Sequence, residues 1–133
     1  MNSDRKIVES ILKMKIIAVV GISANFQRPS NYVSDYMKKN GYKIIPVNPF
    51  HDNILNETSF PNLLNIPYPV DVVNVFRRSE FVLPIIKDAI KIKAKAIWLQ
   101  DGVISEEGAE LAAEAKLLFI MNDCLLRKHR EFN

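Results

Sequence analysis

The sequence predicts an α/β domain whose five-stranded parallel sheet is doubly wound, with helices on both faces. Three features of the 133 residues predict it. Five short runs rich in Val, Ile and Leu are almost continuously apolar, the pattern of strands buried on both faces. Stretches with apolar residues at helical spacing separate them. Short turns rich in Gly, Pro, Asn and Ser join the two kinds of segment, which implies parallel βαβ units with right-handed crossovers.

Taken in order, residues 3–13 form a leading amphipathic helix, and Lys15 to Val20 is the first strand, ended by Gly21. Ser30 reads as the N-cap of a helix over 31–40 with Val33, Tyr36 and Met37 on its inner face and Gly41 as its stop. Lys43 to Val47 is the second strand. A loop with one helical turn near 62–64 leads through Pro67 and Pro69 to the third strand, 70–76. Ser79 reads as the cap of a helix carrying Val82, Ile85, Ile86, Ala89 and Ile90 on one face. Ala96 to Leu99 is the fourth strand, and Ser105-Glu106-Glu107 opens an alanine-rich helix with its acids at the positive end. Leu117 to Met121 is the fifth strand, and Asn122 or Asp123 caps a short last helix. No repeat or long linker divides the chain, so residues 1–133 read as one domain.

Composition narrows the function. Apolar residues make up 48% and charged residues 25%, ordinary for a soluble globular protein. No apolar run reaches the ~18 residues of a membrane span. One cysteine, Cys124, forms no internal disulfide, and the expected compartment is the cytoplasm. The net charge of +3 is mild, and the basic residues are scattered apart from Lys38-Lys39, Arg77-Arg78, the helix from Lys87 to Lys95 and the run Arg127-Lys128-His129-Arg130. That excess suits a small polyanionic ligand at least as well as a nucleic acid, and neither a nucleic-acid nor a membrane partner is expected.

Ligands of doubly wound sheets bind at the carboxyl ends of the strands, where the strand order reverses, so the loops there are the candidate site. In the first loop Gly21 lets the backbone turn tightly, Ser23 offers a hydroxyl, and Arg28 offers a forked cation. Pro29 and Ser30 follow at a helix N-terminus, which attracts anions. The competing reading is an ordinary turn and cap beside a solvated arginine. The second loop contributes Val47 and Asn48, followed by Pro49, a stiff edge for a ribose or base. The third ends a strand in Phe76 and the paired guanidinium groups of Arg77 and Arg78, again before a helix. The fourth places Trp98, Gln100 and Gly102 together, although a tryptophan closing a strand is more often core.

This is not a dinucleotide fingerprint. Ser23 and Phe26 stand where G-x-G-x-x-G needs glycine, and Asn48 stands where an acid would hold a ribose hydroxyl. An NAD(P)-binding oxidoreductase is therefore the weaker alternative, and the phosphate loop of nucleotide triphosphatases is absent.

The ordered set Gly21-x-Ser23, Arg28-Pro29-Ser30, Gly41-Tyr42, Pro46-Val47-Asn48-Pro49, Val75 to Glu80, Trp98 to Val103 with a variable residue 101, and Cys124 with His129 resembles the stand-alone CoA-binding proteins. These are relatives of the CoA-binding domain in the alpha subunit of succinyl-CoA synthetase, and the likeness runs from Ile17 to about Arg130. It implies a Rossmann-like fold and coenzyme A or an acyl-CoA lying across the strand ends. The diphosphate would meet the first loop and Arg28, and the adenosine end Val47, Asn48, Phe76 and Arg77. The pantetheine arm would run toward Gln100 and Gly102. Phe26, Asp123 and Lys128 depart from the usual proline, basic residue and acid at their positions.

No catalytic set is readable. His51 and His129 carry no motif and read as surface histidines, and one cysteine with two distant histidines makes no metal site. Cys124 begins the last helix at a strand's carboxyl end, a place for thiol chemistry, though free cysteines more often pack. The reading is thus non-catalytic CoA binding. The alternatives are an enzyme or partner subunit in acyl-CoA chemistry and a pure interaction domain, and either self-association or a separate enzyme partner is compatible with it.

Overall fold

The computed structural model describes residues 3–133, so Met1 and Asn2 of the expected domain span lie outside it. Five strands form one parallel sheet: β1 (Ile16–Val20), β2 (Lys43–Val47), β5 (Val72–Val75), β6 (Ala96–Leu99) and β7 (Leu118–Ile120), in the order β2-β1-β5-β6-β7. A two-stranded antiparallel ribbon, β3 (Asn53–Ile54) and β4 (Glu57–Thr58), sits beside β2. The sequence pattern did not announce this ribbon, because its turn puts Leu55 and Asn56 at positive φ without a glycine.

Alternate strand residues face opposite layers, so each strand must be apolar on both sides. On one face Ile17, Val19, Ile44, Val72 and Trp98 pack against α1 (Arg5–Leu12), α2 (Pro29–Lys39) and α5 (Leu125–Glu131). On the other, Ala18, Val20, Ile45, Val73 and Leu99 pack against α3 (Val82–Lys91) and α4 (Glu106–Glu114). Trp98 is fully buried and its indole N–H donates to the Asp123 carbonyl at 3.0 Å, so it is core rather than pocket wall. Pro46 is tolerated because β2 is an edge strand, and Phe60 covers that edge by donating to the Pro46 carbonyl.

Three caps differ from expectation. Arg28 precedes α2 with Pro29 at its first position, where the missing N–H costs nothing; Ser30 lies inside the first turn. Ser79 begins a short 3₁₀ turn, Ser79–Phe81, rather than capping α3. Cys124, not Asn122 or Asp123, occupies the N-cap of α5. Ser105 does cap α4, accepting from the Gly108 N–H at 2.9 Å. Among the described residues no helix is long and apolar enough to cross a membrane.

Candidate functional site

From β1 the chain passes through α2 to β2 on one side of β1 and returns to β5 on its other side. Strand order therefore reverses between β1 and β5, and the loops leaving these strands part to open a crevice at their carboxyl ends. Its main cavity encloses about 800 Å³. Ten of the twelve expected residues line it: Gly21, Ser23, Arg28, Pro29 and Ser30 from the first loop and α2, Phe76, Arg77 and Arg78 from the third loop, and Gln100 and Gly102 from the fourth. Val47 and Asn48 line a second cavity of about 440 Å³, which shares Gly21 and Arg77 with the first. The two form one trough.

The first loop is held by the helix that follows it. The Ser30 hydroxyl accepts from the Ser23 N–H at 2.8 Å, and the Asn31 amide donates to the Ser23 carbonyl at 2.8 Å. Ser23 Oγ accepts from the Asn25 N–H and Asn25 Oδ1 from the Gln27 N–H, two local turns that fix the backbone up to Arg28. Ser30 thus shapes the loop instead of capping. No side chain caps α2, and its positive end, marked by Arg28, Pro29, Ser30 and Val33, faces the cavity.

Two expected ligand contacts are already engaged. Asn48 donates through Nδ2 to the Ile22 carbonyl and accepts at Oδ1 from the Phe50 N–H, both at 2.8 Å, so it ties the second loop to the first. Gln100 is buried and donates through Nε2 to Asn74 Oδ1 at 2.7 Å, leaving only part of its amide for the cavity. The Gly102 N–H donates to Asn122 Oδ1, tying the fourth loop to the fifth, and Ser79 Oγ accepts from the Ile104 N–H, tying the third loop to the fourth.

The far wall contains residues that the loop-by-loop reading did not assign to the site: Tyr32, Asp101, Arg127 and Arg130, with Cys124 half-buried among them. Cys124, Arg127 and Arg130 recur every three residues, a spacing that puts them on one face of α5. Arg127 bridges Asp101 through two hydrogen bonds, 2.8 and 3.1 Å, and also reaches the buried Asp123 at 2.9 Å. Burial alone would raise the Asp123 pKa. Its hydrogen bonds from Ser3, the Cys124 N–H and Arg127, with Lys128 nearby, outweigh that and hold it below the usual carboxylate range.

The electrostatics are one-sided. Five arginines and a single carboxylate, Asp101, line the main cavity, a larger local excess than the +3 of the whole chain. Arg5 and Arg127 are ion-paired; Arg28, Arg77, Arg78 and Arg130, the other four arginines, lack an acidic partner among the described residues, and all four line this cavity. Arg77 stacks over Phe81 at 5.0 Å and Arg130 over Tyr36 at 5.4 Å, contacts that orient a guanidinium without neutralising it.

The histidines lie away from this chemistry. His51 is exposed, whereas His129, expected at the surface, is buried between Tyr36 and Tyr42. Its Nδ1 lies 2.7 Å from the Tyr36 hydroxyl, and its Nε2 accepts from the Asn133 amide at 2.8 Å. Burial, reinforced by Lys15, pushes its pKa down, so the ring is a neutral packing element. No group of three or more His, Cys, Asp or Glu suited to a metal ion occurs among the described residues.

Comparison with known proteins agrees with this architecture. The chain is 38% identical over 127 residues to the Bacillus subtilis protein YneT, covering 96% of this chain and 94% of that one. It is 31% identical over 96 residues to the ADP-forming acetate–CoA ligase II of Archaeoglobus fulgidus, covering 71% of this chain but 14% of the ligase. A solved structure of a hypothetical protein from Pyrococcus horikoshii superposes with a TM-score of 0.91 at 32% identity, over 98% of both chains. The CoA binding domain family matches residues 15–130, nearly the whole fold including every loop of the crevice, and the chain belongs to that family.

Proposed function

We propose that this chain binds coenzyme A, or an acyl-CoA, in the trough at the strand carboxyl ends, and that it binds without catalysing a reaction. The observation that carries the proposal is that every arginine without an acidic partner among the described residues lines one cavity. Four unneutralised guanidinium groups beside a helix N-terminus fit a ligand with a diphosphate and a further phosphate. Arg28 and the end of α2 would hold the diphosphate, and Arg77 and Arg78 the phosphate of the ribose. The smaller cavity, walled by Val47, Pro49 and Leu63, would take the base. The pantetheine arm would run past Gln100 and Gly102 toward Cys124.

The whole chain would act as one binding unit. A reduced cytoplasm suits both the free Cys124 and a thiol ligand. The A. fulgidus ligase supports a second role, that of a partner to an enzyme of acyl-CoA chemistry, because there the matching segment is a small share of a much longer chain. Mass spectrometry of the small molecules released by denaturing natively purified protein tests the proposal. CoA or an acyl-CoA near one per chain is expected, and NAD(H) in its place would overturn it.

A further inference from the structure

The smaller cavity holds a feature that a polyanion site does not call for. Asp88, half-buried on α3, is the one carboxylate lining it, and it has no hydrogen-bond or ion-pair partner among the described residues. The other polar side chains there are committed or cationic. Asn48 is engaged at both ends, Asn62 Oδ1 accepts from the Asn65 N–H, and Arg77 belongs equally to the main cavity. The remaining wall is largely apolar, with Val20, Val47, Pro49, Leu63 and Ile85 suited to the faces of a ring.

An ionised carboxylate only accepts hydrogen bonds, and beside phosphates it would repel. It is compatible with this trough where the ligand presents a neutral donor. We infer that Asp88 is a specificity-determining residue that accepts a hydrogen bond from the exocyclic amine of a purine base, so that the trough selects an amino-purine over the same purine without the amine. This rests on the CoA reading above, in which that group is the adenine amine. The ribose hydroxyl is the poorer candidate, because in CoA it adjoins the 3′-phosphate and would bring Asp88 against a dianion.

Titration calorimetry with CoA and with its unsubstituted-purine analogue, in which a hydrogen replaces the amine and no new donor appears, tests the inference. Wild type should prefer CoA by about tenfold or more, the worth of a hydrogen bond to a charged acceptor. In Asp88→Asn, which offers only an uncharged acceptor, the preference should fall by about threefold or more. Asp88→Ala should lose it, and circular dichroism of both variants checks that they are folded. Should Asp88→Ala not fold, the near-isosteric Asp88→Asn decides alone. Equal affinity of wild type for the two ligands, or an undiminished preference in Asp88→Asn, overturns the role of Asp88 while leaving CoA binding intact. Absence of CoA binding by wild type overturns the functional reading itself.

Discussion

Replacing Gly21 with alanine should destabilise the protein before any ligand is added, and the structure gives the size of the effect. Gly21 has φ +85°, and a β-carbon there would lie 2.5 Å from the Phe76 carbonyl oxygen and 2.9 Å from Arg77 Cδ. Arg77 can swing aside. The carbonyl cannot do so cheaply, because the Phe76 N–H donates to the Val20 carbonyl at 2.9 Å and the Gly21 N–H to the Val47 carbonyl at 3.2 Å. Moving either residue strains the end of the β1–β5 or β1–β2 pairing. The left-handed backbone costs a non-glycine residue about 1–2 kcal/mol, and forcing a carbon against a fixed backbone adds about 1–3 kcal/mol. Gly41 supplies the control: its φ is +93°, yet nothing lies within 4 Å of an added β-carbon. Urea unfolding of the unliganded proteins should therefore place Gly21→Ala about 1–3 kcal/mol below Gly41→Ala, the difference being the clash alone. Equal losses in the two variants would refute the close approach of the Phe76 carbonyl to Gly21 on which the difference rests.

Two further outcomes follow from named contacts. Arg28→Ala should weaken CoA binding by about 1.5–3 kcal/mol in calorimetry, while the unliganded thermal midpoint barely moves, because the Arg28 side chain is exposed and caps nothing. A large loss of stability at unchanged affinity would make Arg28 structural. His129 sets a pH dependence. Its folded pKa lies below the ordinary value of about 6.5, so the unfolded chain binds the proton first, and stability present above that pH declines as pH falls through it. The urea midpoint should drop between pH 7.5 and 5.5 in wild type and change less in His129→Gln. Asp123 does not confuse that window, since its lowered pKa withdraws stability only as pH falls below the ordinary carboxylate value.

The sheet was legible because strands buried on both faces leave continuous apolar runs, and Lys43–Val47 and Ala96–Leu99 appear as read. The location of the crevice followed from topology, since the loops leaving adjacent strands part where strand order reverses. What could not be read were long-range choices among equivalent partners. Ser30 and Ser79 look like caps in sequence, yet their hydroxyls accept from Ser23 and Ile104. Asn48 and Gln100 look free for a ligand, but neighbouring loops and Asn74 claim their amides. In sequence Arg127 and Arg130 belong only to a basic run and not to the candidate site, until α5 is seen to form the cavity wall beside Tyr32 and Val33 of α2. His129 owes its burial to Tyr36 and Tyr42, which lie far away in sequence.

The central claim is that the arginine-lined trough is a CoA site, and titration calorimetry with CoA, dephospho-CoA, ATP and NAD in one buffer tests it most directly. CoA should bind tightest and at one per chain, with dephospho-CoA weaker for want of the phosphate that Arg77 and Arg78 would meet. Tightest binding of NAD, or equal binding of CoA and dephospho-CoA with Arg77→Ala and Arg78→Ala indistinguishable from wild type, would contradict it.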